Sequence, residues 1–414
     1  MKLIKNLFRS LAISLFVICV ALFGMLFYLN QTLSTSYKVH PGEKFTLKTN
    51  IPVTAVYNTV AQSGNSLTKQ IGTSFDVDLK MFGIFPISSV EVQVVDDMYV
   101  AVMGNLFGIR LYTEGVMIVS ITDVDGPKGN SSPARDAGLV KGDVIVSIND
   151  INVYSNEQVC NIIENTNGNK MKISVLRGDK NIVVYLTPVK SVETGLYRAG
   201  LWVRDSSAGI GTMTFYSPST GVICGLGHGI CDSDTGVLLP LNSGQLVGAK
   251  LISLEKGRIG APGEIKGRFT SDLIASLDKN CHMGVYGSLL CDIKLSDLTR
   301  VALKQEIIDG PAQILCTVDE SGPTAYSCTV KRKINSNNSD TQNLIITVTD
   351  ERLLQKTGGI IQGMSGSPIL QNGKLIGSVT HVLIDDPTTG YGIFAENMLE
   401  TAQSVSEQQL KDAS

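Results

Sequence analysis

The sequence predicts a mainly β protein that starts with a membrane helix, and three observations carry that expectation. A stretch without any charged side chain spans residues 11–29 behind a basic flank. Short β-branched and aliphatic runs, separated by glycines, recur through the rest of the chain. Glycine supplies 41 of 414 residues against 13 prolines, which suits turn-rich β structure and excludes a collagen-like rod. The net charge of −3, without a long basic run, argues against a nucleic-acid partner. A hydrophobic content of 43% excludes a disordered chain. The length allows roughly two to three domains.

Residues 1–30 read as a transmembrane signal anchor. Lys2, Lys5 and Arg9 precede the apolar run, whose helix, rising about 1.5 Å per residue, nearly matches a ~30 Å hydrocarbon core. The positive flank stays in the cytoplasm, so the bulk of the chain is expected outside it. A cleaved signal peptide is the alternative. Its apolar core is normally about 7–15 residues with an A-x-A-like exit, and only Ser34-Thr35-Ser36 resembles one. Of the eight cysteines, Cys19 lies in the anchor. Cys160, Cys224, Cys231, Cys281, Cys291, Cys316 and Cys328 lie beyond it, an odd set. No C-x-x-C spacing occurs, so neither a structural zinc nor any other metal or cofactor is expected. A Cys224–Cys231 bridge and buried free thiols both remain open.

Residues 31–103 read as a small β connector, with extended runs at Glu43–Leu47, Thr54–Tyr57, Ser89–Val94 and Tyr99–Val102. Residues 104–190 alternate between β and α signals. Gly115–Thr122 is a β-branched apolar run, and Pro133–Leu139 is a short helical stretch. Gly142–Ile148 turns into another strand. Ser155 opens a helix with Gln158 placed as in a capping box, and Val159, Ile162 and Ile163 form its core face. Lys170–Leu176 and Asn181–Thr187 make a hairpin around Arg177-Gly178-Asp179. This order, above all A-G-L-x-x-G-D-V-I-x-S-I-N at Ala137–Asn149, resembles an α+β PDZ domain of the bacterial type. The resemblance implies that Phe107-Gly108-Ile109 is the loop whose backbone N–H groups hold a chain-terminal carboxylate while the peptide adds a strand. A PDZ fold that binds no free C-terminus is the alternative.

Residues 195–414 carry the chemistry. Short strands separated by glycines, among them Leu201–Val203, Gly211–Tyr216, Gly221–Leu226, Val237–Pro240 and Gly248–Leu254, suggest an antiparallel sandwich or barrel. Helices are expected at Ser271–Leu277, at Glu351–Gln355 behind Asp350, and from Glu396 to about Ser404. Two glycine-framed motifs stand out: Cys224-Gly-Leu-Gly-His228-Gly-Ile-Cys231 and Gly363-Met-Ser365-Gly-Ser-Pro368. A serine hydroxyl needs a base to become a nucleophile, and histidine serves near neutral pH. The acyl transition state needs two donors on its oxyanion, which a glycine-built turn offers through the N–H groups of Gly363 and Ser365. His381 is the rival base. Asp350 suits either a helix N-cap or the acid behind the histidine, and Asp232, Asp385 and Asp386 are alternatives.

The segment resembles the stage IV sporulation protein B peptidase family, serine endopeptidases of endospore-forming bacteria. The resemblance rests on Gly227-His228-Gly229-Ile230, on Pro262–Gly267, on Thr349-Asp350 with Lys356–Ile360, on Gln362–Pro368, and on Thr380-His381-Val382 with Asp386-Pro387. It implies a chymotrypsin-like two-barrel β peptidase domain with His228 as base, Asp350 as orienting acid and Ser365 as nucleophile. It further implies a self-cleaving regulatory protease in the forespore intermembrane space. Its partners would be its own N-terminal region and a membrane-bound regulatory protein, whose cleavage releases an intramembrane protease and activates a mother-cell sigma factor. A non-catalytic PDZ scaffold and a general extracytoplasmic quality-control protease are the competing readings.

Overall fold

The computed structural model describes residues 2–47, 49, 51–57, 70–292, 297–333 and 341–412. Helix α1 (Lys2–Thr32) contains the 23-residue apolar stretch Arg9–Gln31, long enough to cross a membrane. It is consistent with a membrane anchor or a signal sequence. Its end, at Leu29, and Leu33 just beyond bury against the connector.

The connector is a four-stranded sheet of β1 (Ser36–Val39), β2 (Val53–Tyr57), β3 (Ser74–Met81) and β4 (Phe85–Val94), in the order β1-β4-β3-β2. In β3 the alternate residues Phe75, Val77, Leu79 and Met81 are buried, the period-two pattern of a half-buried strand. Glu43–Leu47, expected as a strand, is irregular chain. The expected strand at 99–102, β5 (Tyr99–Val102), leaves the connector and pairs with the peptidase half instead.

Strand β6 (Leu106–Ile121) enters the PDZ fold. Its elements are β7 (Val124–Gly126), β8 (Gly129–Ser131), α2 (Pro133–Asp136), β9 (Val144–Ile148), β10 (Ile151–Asn152), α3 (Asn156–Glu164), β11 (Met171–Arg177), β12 (Lys180–Leu186), β13 (Val189–Lys190) and β14 (Tyr197–Arg198). Ser155 caps α3 by accepting from Gln158 N, and Gln158 Oε1 accepts from Tyr154 N. Val159 and Ile163 on α3 pack with Ile118, Ile145 and Ile173 in one core. Buried Asp143 holds Arg177 through two hydrogen bonds of 2.6 and 2.8 Å.

The peptidase half follows with β15 (Leu201–Ser217), β16 (Val222–Gly225), β17 (Leu241–Glu255), β18 (Glu264–Ser276), β19 (Lys279–Cys281), β20 (Gly284–Ser288) and β21 (Leu298–Arg300). Then come β22 (Gly310–Cys316), β23 (Thr324–Arg332), β24 (Leu344–Val348), α4 (Glu351–Thr357), β25 (Pro368–Gln371), β26 (Lys374–Leu383), β27 (Asp386–Phe394) and α5 (Ala395–Asp412). Strands β22 to β27 close a barrel in the order β22-β23-β24-β27-β26-β25. With the half-barrel sheet before it, this is consistent with a chymotrypsin-like fold. Ser271–Leu277, expected as a helix, lies almost wholly in β18, where pairing with β17 overrides a helix-like spacing of Leu273, Ile274 and Leu277. Val237–Pro240 makes only an isolated bridge, Leu238 to Cys231.

The strands do not respect the expected divisions at 104 and 195. β6 and β15 run antiparallel from Leu201↔Ile121 to Thr212↔Leu106, so one two-stranded ribbon passes through both the PDZ fold and the peptidase half. The front half of β6 also pairs with β17. Phe107, Gly108 and Ile109 sit inside this ribbon, with β15 on one edge and β17 on the other. They are therefore not a carboxylate-binding loop. Phe107 and Ile109 are core residues, and a Cβ on Gly108 would lie 2.4 Å from the Phe269 ring.

Candidate active site

His228 is presented by a tight turn after β16. Leu226 and Gly227 both adopt left-handed backbone, at φ 65° and 67°. For leucine this is an uncommon, strained conformation of the kind that persists where function requires it. The Asn280 amide fixes the next stretch, accepting from Ile230 N and donating to the carbonyls of Ile230 and Leu239. His228 Nδ1 lies 2.9 Å from its neighbour's carbonyl, Gly229 O. A carbonyl only accepts, so Nδ1 carries the proton and Nε2 keeps its lone pair free for a base role. Burial lowers the His228 pKa from 6.5, partly opposed by the Gly229 bond.

Ser365 follows α4 in a loop braced by the start of β18 and the residue before it. Gln362 N donates to Gly263 O and Ile265 N to Gln362 O, each at 2.8 Å. Two glycines in left-handed conformation make the turn. A Cβ on Gly363 would meet Ile265 Cβ at 2.9 Å, and one on Gly366 would collide with Thr212 O at 1.8 Å. Within the turn, the N–H groups of Met364, Gly366 and Ser367 are bonded, to Ile361 O, Val379 O and Met364 O. Those of Gly363 and Ser365 donate to no acceptor among the described residues, which is what an oxyanion site needs. The Ser365 hydroxyl rests on Thr380 O at 2.7 Å.

Both motifs open into one cavity of about 470 Å³, lined by His228, Ser365, Gly363 and His381. Its apolar wall comes from aliphatic side chains such as Ile210, Leu226, Ile361 and Val382, and among the described residues no Asp, Glu, Lys or Arg lines it. The His228 and His381 rings stand 4.8 Å apart. Burial and the charge of His228 bring the His381 pKa down to about 4.

The carboxylates are elsewhere. Asp350 accepts from Arg352 N at the start of α4, from the Arg352 guanidinium and from Ser327 N. The Arg352 bond holds its pKa well below the usual carboxylate range. The N-cap bond, the Arg352 guanidinium and Ser327 N thus account for its bonds, and the orienting-acid role finds no contact with His228. Asp232 is held by Arg204 and by the backbone of Asp234 and Thr235, and Asp386 by Thr388. On this geometry Asp350→Ala is expected to cost about 1–2 kcal/mol of stability, the usual value of a lost cap. Turnover per folded molecule should stay within about twofold. Thermal unfolding alongside active-site-normalised kinetics checks this, and a large fall in normalised kcat would return Asp350 to the catalytic group.

All the cysteines are free. Cys224 is buried in β16 with its thiol on Phe215 O, while Cys231 is exposed on the cavity wall, so the two form no bridge. Three contributors were missed in the sequence: Thr212, Asn280 and the Thr380 carbonyl. The available signal was the pair Thr212 and Thr214, two hydroxyls on one face of the buried end of β15.

A serine and a histidine face one apolar cavity in a barrel and half-barrel β fold with a PDZ fold woven in, an arrangement that suits a serine endopeptidase. Residues 195–399 match the family described as SpoIVB peptidase S55, and residues 130–177 match the PDZ domain. Together the two matches support a SpoIVB-type serine peptidase that carries a PDZ domain. Among curated proteins no match is found. Among solved structures, the PDZ domain of the SdrC-like protein from Listeria monocytogenes is similar at 25% identity, over 22% of this chain and 87% of that one, with a TM-score of 0.19. Rv3671c from M. tuberculosis H37Rv, a serine-to-alanine mutant described as an inactive form, is similar at 14% identity, over 48% of this chain and 83% of that one, with a TM-score of 0.24.

Proposed function

We propose that the protein is a membrane-anchored, self-cleaving serine endopeptidase of sporulation, with Ser365 as nucleophile and His228 as base. The shared cavity is the observation that carries this reading. Ser365 Oγ leaves Thr380 O, transfers its proton to His228 Nε2 and attacks the peptide carbonyl. The oxyanion is held by the N–H groups of Gly363 and Ser365. The imidazolium then protonates the leaving amine, and water releases the acyl group by the reverse path. The Gly229 carbonyl sets the tautomer, a task more often given to a carboxylate.

The family match and the apolar N-terminal helix support placement of the catalytic half in the forespore intermembrane space. There it would cleave its own N-terminal region and a membrane-bound regulator, freeing an intramembrane protease that activates a mother-cell sigma factor. The uncharged cavity wall favours aliphatic side chains before the scissile bond, because a charge buried there would be unpaired. Peptides differing only at that residue test this. Val, Leu or Ile is expected to exceed Lys or Glu at least about tenfold in kcat/KM, and equal or faster cleavage after a charged residue would contradict it.

A further inference from the structure

We propose that Thr212 is a positioning residue that locks the nucleophile loop to the base loop. The inference rests on Ser365 and His228 acting as above. Thr212 is fully buried near the end of the ribbon where β15 crosses both loops. Each of its polar groups is engaged by one of them. Its N–H donates to Ser365 O at 2.9 Å, and its hydroxyl donates to Gly363 O at 2.8 Å. Its carbonyl accepts from Leu226 N at 3.3 Å, two residues before His228. One residue thus fixes the peptide planes on both sides of the one that carries the Ser365 N–H, together with the start of the histidine turn.

Thr214, two residues on and also fully buried, faces the same way. Its hydroxyl donates to Gly366 O at 2.7 Å and lies 3.3 Å from Ser378 Oγ. Three successive features of the turn, the carbonyls of Gly363, Ser365 and Gly366, are therefore tied to β15. The Gly363 carbonyl belongs to the 363–364 peptide, which lies between the two peptides that carry the free N–H groups of Gly363 and Ser365. The Ser365 carbonyl belongs to the 365–366 peptide that follows, so these bonds fix the neighbours of both donors. With the Gly363 carbonyl released, the turn loses its fixed aim, and the loss falls on the transition state and not on substrate binding.

Thr212→Val keeps the shape of the side chain and removes the hydroxyl. It is expected to lower kcat per titrated active site about tenfold, as one misplaced hydrogen bond does. KM should stay within about twofold, and affinity for a peptide boronic acid, which mimics the tetrahedral intermediate, should weaken by the same factor as kcat. Thr212→Ser should restore both. A merely structural threonine would reduce the folded fraction and leave these normalised values alone. Unchanged normalised kcat and boronate affinity in Thr212→Val would overturn the proposal, as would failure of Thr212→Ser to restore them. Should the valine protein not fold, Thr214→Val takes its place with the same expected split, and unchanged values there would overturn it equally. Loss of all activity in Ser365→Ala is independent of this outcome, so failure of the proposal is distinct from failure of the nucleophile assignment.

Discussion

Ser365→Ala is expected to lower kcat/KM by about 10³-fold or more while leaving the fold intact, because no other hydroxyl replaces the nucleophile. The methyl group fits where the hydroxymethyl stood, and among the described residues the side-chain bond lost is that to Thr380 O. His228→Ala should fall by a similar factor, since nucleophile and base act as a unit. The wild-type pH profile adds an independent check. The base works only when neutral, and burial holds the His228 pKa below 6.5. Activity is therefore retained as pH falls through 6.5, and the acid limb of kcat/KM lies lower than for a free imidazole. An acid limb above pH 7, or a His228→Ala protein of near-normal activity, would contradict this assignment.

Excising residues 104–190 as if they were a detachable PDZ domain is expected to unfold the peptidase. That cut removes all of β6, the strand between β15 and β17. It takes away Phe107, Ile109 and Leu111, all buried in the half-barrel core. Each is worth roughly 1.5–3 kcal/mol, and together they approach the net stability of a whole domain, about 5–15 kcal/mol. A cut from 123 to 199 instead preserves β6 and joins neighbours, because Thr122 N already bonds Gly200 O at 2.9 Å. Near-UV circular dichroism and active-site titration of the two deletions should show the first unfolded and the second folded. An active enzyme lacking 104–190 would contradict the shared ribbon.

The contrast between those deletions reflects what the sequence could convey. Local patterns were legible. The capped α3, the hairpin of β11 and β12 and the strand β16 within Gly221–Leu226 lie where periodicity and turn residues placed them. The Ser365 turn and the His228 turn were legible because their glycines are demanded by left-handed backbone and close approach. The ribbon was not. Gly115 takes a left-handed φ of 82° within β6, and bulges at Trp202/Val203 and Arg204/Ser206 interrupt β15. So β6 read as a loop at 107–109 ahead of a strand, β15 read as two short runs, and the two partners of the ribbon fell in different domains. Phe107-Gly108-Ile109 was misplaced for the same reason, since its fate depends on β17, far along the chain. Asp350 shows a related limit. A cap and a catalytic acid have the same local signature, and only the positions of Ser327 and Arg352 separate them.

The meeting of His228 and Ser365 is tested most directly by the rate at which a fluorophosphonate labels Ser365, followed by mass spectrometry in the wild type, His228→Ala and Asp350→Ala. The expected result is rapid labelling confined to Ser365, slowed at least about 10²-fold in His228→Ala and nearly unchanged in Asp350→Ala. Undiminished labelling in His228→Ala, or modification of a different residue, would contradict it.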